Sequence, residues 1–243
     1  MHKAYLRNIQ RLLENLENTQ EQVIEQVAAA CAESIFNGGL LYFFGTGHSH
    51  MICEEPFYRA GGLASIYPIL ESDLMLHEGA SKSSSYERIQ GLGNVVVSHT
   101  PLGKGDVLFL ISNSGRNCAI IDAALEAKKR GAITVAITSM NHTTQVTSRH
   151  SNGLNLYQVC DFVLDNGGVV GDASVSLDGL KQKIAPTSSV IDITLVNMVL
   201  VNTVELLLQK GMAPPVFTSA NTDEGDSANK HILETYKPRI PSL

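Results

Sequence analysis

Two short polar turns carry the residues of this 243-residue chain whose types and spacing best suit chemistry. The first is Gly45-Thr46-Gly47-His48-Ser49-His50 and the second is Ser112-Asn113-Ser114-Gly115-Arg116-Asn117. Each follows an apolar run that reads as a buried strand, 40–44 and 107–111, and each precedes a helical pattern. At a strand-to-helix turn the first backbone N–H groups of the helix lack intrahelical partners, and the helix dipole adds partial positive charge. Serine hydroxyls placed there complete a cradle for an anion such as phosphate. Either turn alone could be a helix cap and a chain reversal and nothing more. Two of them in one chain, in the same setting, point to anion binding.

Other chemistries fit the residues less well. His48 and His50, with His77 farther on, raise a metal site, since histidines at i and i+2 of a turn can converge. No cysteine or carboxylate at familiar zinc spacing accompanies them, so no metal is expected, and a histidine beside an anion seat can equally hydrogen-bond a substrate. Gly45-x-Gly47 after a strand, with Glu71 ending the next one, partly matches a dinucleotide fingerprint. His50 stands where the third glycine would let helix and strand pack closely, so no nicotinamide cofactor is expected. The G-x-x-x-x-G-K-[ST] loop is absent from the sequence.

The elements that must position the two turns follow from periodicity. Residues 2–36 read as helix, with Leu6, Ile9, Leu13 and Leu16 on one stripe and Val23, Ile24, Val27 and Cys31 continuing it. Thr19 and Gln22 have capping-box spacing, which allows two helices instead of one. Strands are expected at 40–44, 63–70 (near an edge, because of Pro68), 107–111, 133–137 and 160–164. Helices are expected from 49, interrupted by Pro56, at 86–92, at 117–130 with Gly131 as the stop, at 190–209, and at 227–236. Val95-Val96-Val97 reads as a short strand, and the long connection 77–106 as a lid or substrate wall. Ser188 and Ser189 read as caps for the 190–209 helix. Repeated alternation of strand and helix implies a parallel sheet with helices on both faces, and ligands in such sheets sit outside the carboxyl ends of the strands. That rule places 45–49, 112–117, 138–139 and 165–167 on one rim.

Composition narrows the function. Hydrophobic residues are 44% and charged residues 17%, an ordinary globular balance. The net charge is −6 with 18 Lys and Arg, so no broad basic field for nucleic acid or an anionic membrane is expected, and an anion must be held by local geometry. Cys31, Cys53, Cys118 and Cys160 are widely spaced and sit in or beside apolar segments, as reduced cysteines of a cytoplasmic protein would. The first twenty residues show no apolar stretch of signal-peptide type, and Asp192, Asn197, Asn202 and Glu205 interrupt the apolar run 190–208, which therefore reads as a buried helix and not a membrane span.

Three pieces in order, Gly45-Thr46-Gly47-His48-Ser49, Ser112-Asn113-Ser114-Gly115 and Ile137-Thr138-Ser139, resemble the sugar isomerase (SIS) domains, a family that binds phosphosugars. The resemblance implies an α/β fold: a three-layer α/β/α sandwich with a five-stranded parallel sheet of flavodoxin-like type, here with an N-terminal helical arm (1–38), the SIS domain (39–212) and a C-terminal tail (213–243). It implies a homodimer or homotetramer with the site near a subunit boundary. It further implies that Gly47, His48, Ser49, Ser112, Asn113, Ser114, Asn117 and Ser139 bind a phosphosugar, with Arg116 adding a charge-assisted contact. The layout is most similar to the phosphoheptose isomerases, whose catalytic glutamate lies ten residues beyond the serine of the first turn. That position is Arg59 in this chain. Glu55, one helical turn earlier, is the substitute base for enediol chemistry, and His77 the candidate proton carrier. The expected activity is aldose–ketose isomerisation of a sugar phosphate; non-catalytic phosphosugar binding and a lyase or etherase reaction are the competing classes.

Overall fold

The computed structural model describes residues 2–222 and 225–243. Five parallel strands form the central sheet: β1 (Leu41–Gly45), β2 (Ile66–Ile69), β3 (Val107–Ile111), β4 (Ile133–Thr138) and β5 (Phe162–Asp165), in the order β2-β1-β3-β4-β5. The order reverses between β1 and β3, so the connections leaving them run to opposite sides and open a crevice at their carboxyl ends. Register is continuous there, with Phe44 beside Leu110 and Gly45 beside Ile111. β1 and β3 are buried at every position because helices cover both faces of the sheet, and their apolar runs are therefore unbroken.

Successive side chains of each strand enter opposite layers. Phe43, Phe109, Val135 and Ile137 pack with α2 (Glu21–Phe36) and α9 (Ser188–Gln209), and the Phe43 and Phe109 rings stack 4.5 Å apart. Tyr42, Phe44, Leu108, Leu110 and Ala136 pack in the other layer with α5 (Leu92–Ser98), α6 (Cys118–Lys129) and α10 (Gly225–Tyr236). By length and composition α9 could cross a membrane. Its Ile191, Leu195, Val199 and Leu207 are nevertheless buried in the first layer.

Several local expectations are corrected. The 2–36 stretch is two helices, α1 (His2–Thr19) and α2, but no Thr19 capping box joins them. Thr19 donates back to the Asn15 carbonyl at 2.7 Å, and the N-cap is Gln20, whose Oε1 accepts the Asp165 N–H at 3.0 Å. Pro56 ends the helix after the first turn early, leaving a 3₁₀ turn (Gly47–His50) and α3 (Met51–Glu54). No single helix spans 86–92: α4 (Ala80–Tyr86) ends at its first residue and α5 starts at its last, Leu92, with Gly91 left-handed between them.

Val95–Val97 is helix and not strand. The β-branched run is placed with Val96 and Val97 buried and Val95 exposed, a helical period imposed by packing against α6, which outweighs local β preference. The β2 strand lies at the sheet edge, as Pro68 indicates, but is shorter than 63–70; Leu63 instead bridges Val216. An antiparallel hairpin, β6 (Ala173–Val175) with β7 (Ile184–Pro186), was not legible in the polar 166–186 stretch. Short helices α7 (Met140–Thr143) and α8 (Leu156–Val159) interrupt the segment between β4 and β5.

Candidate functional site

The crevice at the carboxyl ends of β1 and β3 is lined by the two polar turns. In the second turn Gly115 adopts φ +60°, and its N–H closes onto Ser112 Oγ at 3.1 Å. Among the described residues the N–H groups of Asn113, Ser114, Arg116 and Asn117 have no hydrogen-bond partner, and neither does the Ser114 hydroxyl. A left-handed residue among successive free N–H groups forms a concavity that suits an anion, and α6 begins at its far end. Asn117 is the N-cap of α6 but makes no side-chain cap; its Oδ1 accepts Arg149 Nη1 at 2.6 Å instead.

The first turn stands alongside. Gly47 is left-handed, Ser49 is half-buried, His48 is exposed, and the Thr46 hydroxyl donates to Glu87 Oε2 at 2.7 Å. His50 Nδ1 meets the Gly47 carbonyl and its Nε2 lies 3.5 Å from Glu54, so it does not converge on His48. Among the described residues no three His, Cys, Asp or Glu side chains form a metal-binding group.

Ser139 lies at the same rim, buried after β4. Its hydroxyl donates to the Gly168 carbonyl at 2.6 Å and accepts the His142 N–H at 3.2 Å, so it ties the β4 and β5 turns together.

The two acid–base candidates named from the sequence lie elsewhere in the chain. Glu55 pairs with Arg59 and lines a hollow of about 370 Å³ with Asn197 and Val201 of α9, a hollow that contains no residue of either polar turn. His77 is exposed, with Glu78 its charged neighbour at 4.0 Å, and His231 is exposed on α10.

What the structure brings to the crevice instead are residues that sequence reasoning passed over. Glu87, between α4 and α5, joins both walls: its carboxylate takes the Thr46 hydroxyl and its carbonyl accepts the Ala119 N–H of α6 at 3.0 Å. His142 is half-buried, and its Nδ1 is buried without a partner. Burial, and then the nearby Arg116, hold it below the usual histidine range. No short-range pattern marks either residue; Glu87 follows a serine run and His142 lies in an irregular polar stretch.

Behind the turn is a buried polar chain. Asn166 Nδ2 donates both to Asn113 Oδ1 at 3.0 Å and to Asp192 Oδ1 at 2.8 Å. Burial pushes the Asp192 carboxyl up to about 7, against the Asn166 hydrogen bond and with nearby Asp172 adding to the rise.

Asp172 itself caps α9, accepting the N–H groups of Thr187 and Ser188 at 2.9 Å and the Ser188 hydroxyl at 2.6 Å. The cap is thus supplied by the hairpin segment, and the expectation that Ser188 and Ser189 cap the helix is corrected: Ser188 donates to the group that does.

Because the native state holds the Asp192 proton more tightly than the unfolded chain, stability falls as pH rises from the ordinary aspartate range toward 7. The slope is at most about 1.4 kcal/mol per pH unit. Asp192→Asn is expected to flatten this part of the profile, with a Tm several degrees above the wild type at pH 8 and a difference that closes near pH 4. Thermal denaturation across that range checks it; parallel curves for the two proteins would show that Asp192 does not titrate there.

Comparison with known proteins agrees with this architecture. A UPF0309 protein of Geobacillus kaustophilus is 42% identical over 243 residues, covering 100% of this chain and 97% of the relative. A UPF0309 protein of Halalkalibacterium halodurans is 44% identical over 232 residues, 96% of each chain. Among solved structures, a phosphoheptose isomerase from Francisella tularensis superposes with a TM-score of 0.54 at 15% identity, covering 83% of this chain and 95% of that one. The Neisseria gonorrhoeae phosphoheptose isomerase gives 0.52 at 15% identity, covering 85% and 96%. The Vibrio vulnificus NanR protein complexed with ManNAc-6P gives 0.54 at 15% identity, covering 99% and 69%. At these identities the structures share the fold. Residues 4–139 match the SIS domain family, and with the strand order and the two polar turns this shows that the chain belongs to the SIS domain family, a phosphosugar-binding family, and within it to the UPF0309 proteins.

Proposed function

We propose that this protein binds a phosphosugar with its phosphate on the turn 112–117 and interconverts the aldose and ketose forms of that sugar. The observation that carries the reading is the set of four unpartnered backbone N–H groups in that turn, with the free Ser114 hydroxyl beside them and the Arg116 side chain in the same loop. Gly47, His48, Ser49, Asn113 and Asn117 complete the contacts to phosphate and sugar hydroxyls, and Ser139 holds the β4 turn in place.

The base in this reading is Glu87, a half-buried carboxylate between the two turns. It takes the C2 proton of the aldose while a proton reaches O1, giving an enediol. Loss of the O2 proton and return of a proton to C1 yields the ketose. His142, half-buried and near Arg116, moves the proton between the two oxygens. A second copy of the chain is part of the proposal, and one observation favours a second base within it: Glu55 stands beside the exposed apolar Val201 of α9, where a homodimer or homotetramer contact would carry it toward a neighbouring site, together with His77.

Exchange of the C2 proton of aldose phosphates into deuterated water, followed by NMR, tests the reading. Turnover by the wild type is expected to fall at least about a thousandfold in Glu87→Gln, and Ser114→Ala is expected to weaken phosphosugar affinity about tenfold or more through loss of one hydrogen bond to a charged group. Loss of exchange in Glu55→Gln with Glu87→Gln active would move the base to the neighbouring subunit. Binding without exchange in the wild type would leave a non-catalytic phosphosugar-binding protein.

A further inference from the structure

Three arginines, Arg88, Arg116 and Arg149, lie on loops joined around the start of α6, more than a single phosphate on the turn 112–117 would need. Arg116 belongs to that turn, and its Nε is buried with no hydrogen-bond partner. Arg149 is stitched across the start of α6: its N–H donates to the Arg116 carbonyl at 2.8 Å, its Nη1 to Asn117 Oδ1 at 2.6 Å, and its carbonyl accepts the Cys118 thiol at 3.2 Å. Arg88 follows Glu87 on the segment that roofs α6, and that segment is tied to the Arg149 loop through Gln90 and Ser151.

Arg116 and Arg88 both lie near enough to oppose the charge of Arg149. After burial, Arg116 and then Arg88 are what hold Arg149 below the usual arginine range, and Glu87 offsets them only in part. Among the described residues no carboxylate lies within 4.0 Å ion-pairing distance of any of the three, although the same chain pairs Lys82, Lys128, Arg130 and Lys210 with acidic partners. Like charges brought together with only partial compensation are unfavourable, and a bound anion relieves them.

A phosphate on the turn is served by four N–H groups, the Ser114 hydroxyl and Arg116. Arg88 and the rest of the Arg149 guanidinium are then left for something else. Guanidinium forks match carboxylate and phosphate oxygens equally well, two N–H donors to two oxygens. We infer that the natural ligand is a sugar with two anionic groups, a phosphate held by the turn and a second phosphate or a carboxylate held between Arg88 and Arg149. The inference rests on the phosphosugar reading and narrows its substrate class.

Isothermal titration with fructose 6-phosphate, fructose 1,6-bisphosphate and 6-phosphogluconate tests it. The first carries one anionic group, the second adds a phosphate and the third a carboxylate. At least one of the latter two is expected to bind ten times or more tightly than fructose 6-phosphate, and which one it is identifies the second group. In the Arg88→Gln/Arg149→Gln double variant, its fold checked by circular dichroism, that advantage is expected to shrink below about threefold. Ser114→Ala is expected to weaken all three ligands. Equal affinity for the three, or an advantage that survives in the double variant, overturns the inference while leaving the phosphosugar reading in place. Absence of binding by all three, or binding indifferent to Ser114→Ala, brings down the phosphate-turn reading and this inference with it.

Discussion

Gly115→Val is expected to weaken phosphosugar binding more than a hundredfold while leaving the protein folded. Gly115 has φ +60°, a conformation that costs a β-branched residue about 1–2 kcal/mol or more. A Cβ there would lie 2.9 Å from Thr143 Oγ1 and 3.3 Å from Leu156 Cβ, so the turn must shift to admit it. The open N–H groups of Asn113, Ser114, Arg116 and Asn117 then move with the turn. Loss of two hydrogen bonds to a charged phosphate, at about 1.5–3 kcal/mol each, corresponds to a hundredfold or more in Kd. Titration of a phosphosugar against both proteins, with circular dichroism as the check on folding, measures it. Affinity within threefold of the wild type would mean that the phosphate sits elsewhere.

The second large effect is expected on stability. A Cβ on Gly93 would lie 1.9 Å from the Ala119 carbonyl oxygen and 2.7 Å from the Ala123 nitrogen, both backbone atoms of α6 that cannot rotate away. Gly93→Ala must therefore push α5 off α6. That movement also stretches the Gly91 N–H bond to Asp122 Oδ2, 2.6 Å long, from a buried carboxylate whose other oxygen holds His150 Nε2 at 3.0 Å. Overpacking of this kind costs about 1–3 kcal/mol, and rigid backbone on both sides puts the value at the upper end. For a chain of this size a loss of about 3 kcal/mol lowers Tm by roughly 6–12 °C. Calorimetry decides it; a Tm within 2 °C or so of the wild type would show that the helix pair yields without strain. Since Glu87 hangs between α4 and α5, the same variant is expected to lose turnover before it loses phosphate binding.

The parallel sheet and its two polar turns were legible from the sequence because they depend on local rules. Continuous apolar runs such as Val107–Ile111, bounded by turn residues, read as strands covered on both faces, and Ser112 to Asn117, placed between such a run and a helix, has N–H groups that the helix itself cannot satisfy. The three SIS-like pieces lie in order along the chain, so the family too could be read there. The edge position of β2 followed from Pro68 alone.

Only the tertiary structure could decide which side chains meet at the turns. Glu55 lies one helical turn before Arg59 in sequence, but Pro56 ends that helix, and the carboxylate pairs with Arg59 beside α9. Glu87 and Arg149 are 62 positions apart in the sequence, yet both are fastened to the first turn of α6, one through the Ala119 N–H and the other through Asn117. Val95–Val97 became helix for a related reason: Gly93 lets α5 lie directly on α6, and the area buried there outweighs the β preference of three valines. Strand and turn chemistry is set by neighbours in sequence, whereas the charge around the turn 112–117 is set by which distant loops the packing of α5 on α6 brings to the same rim.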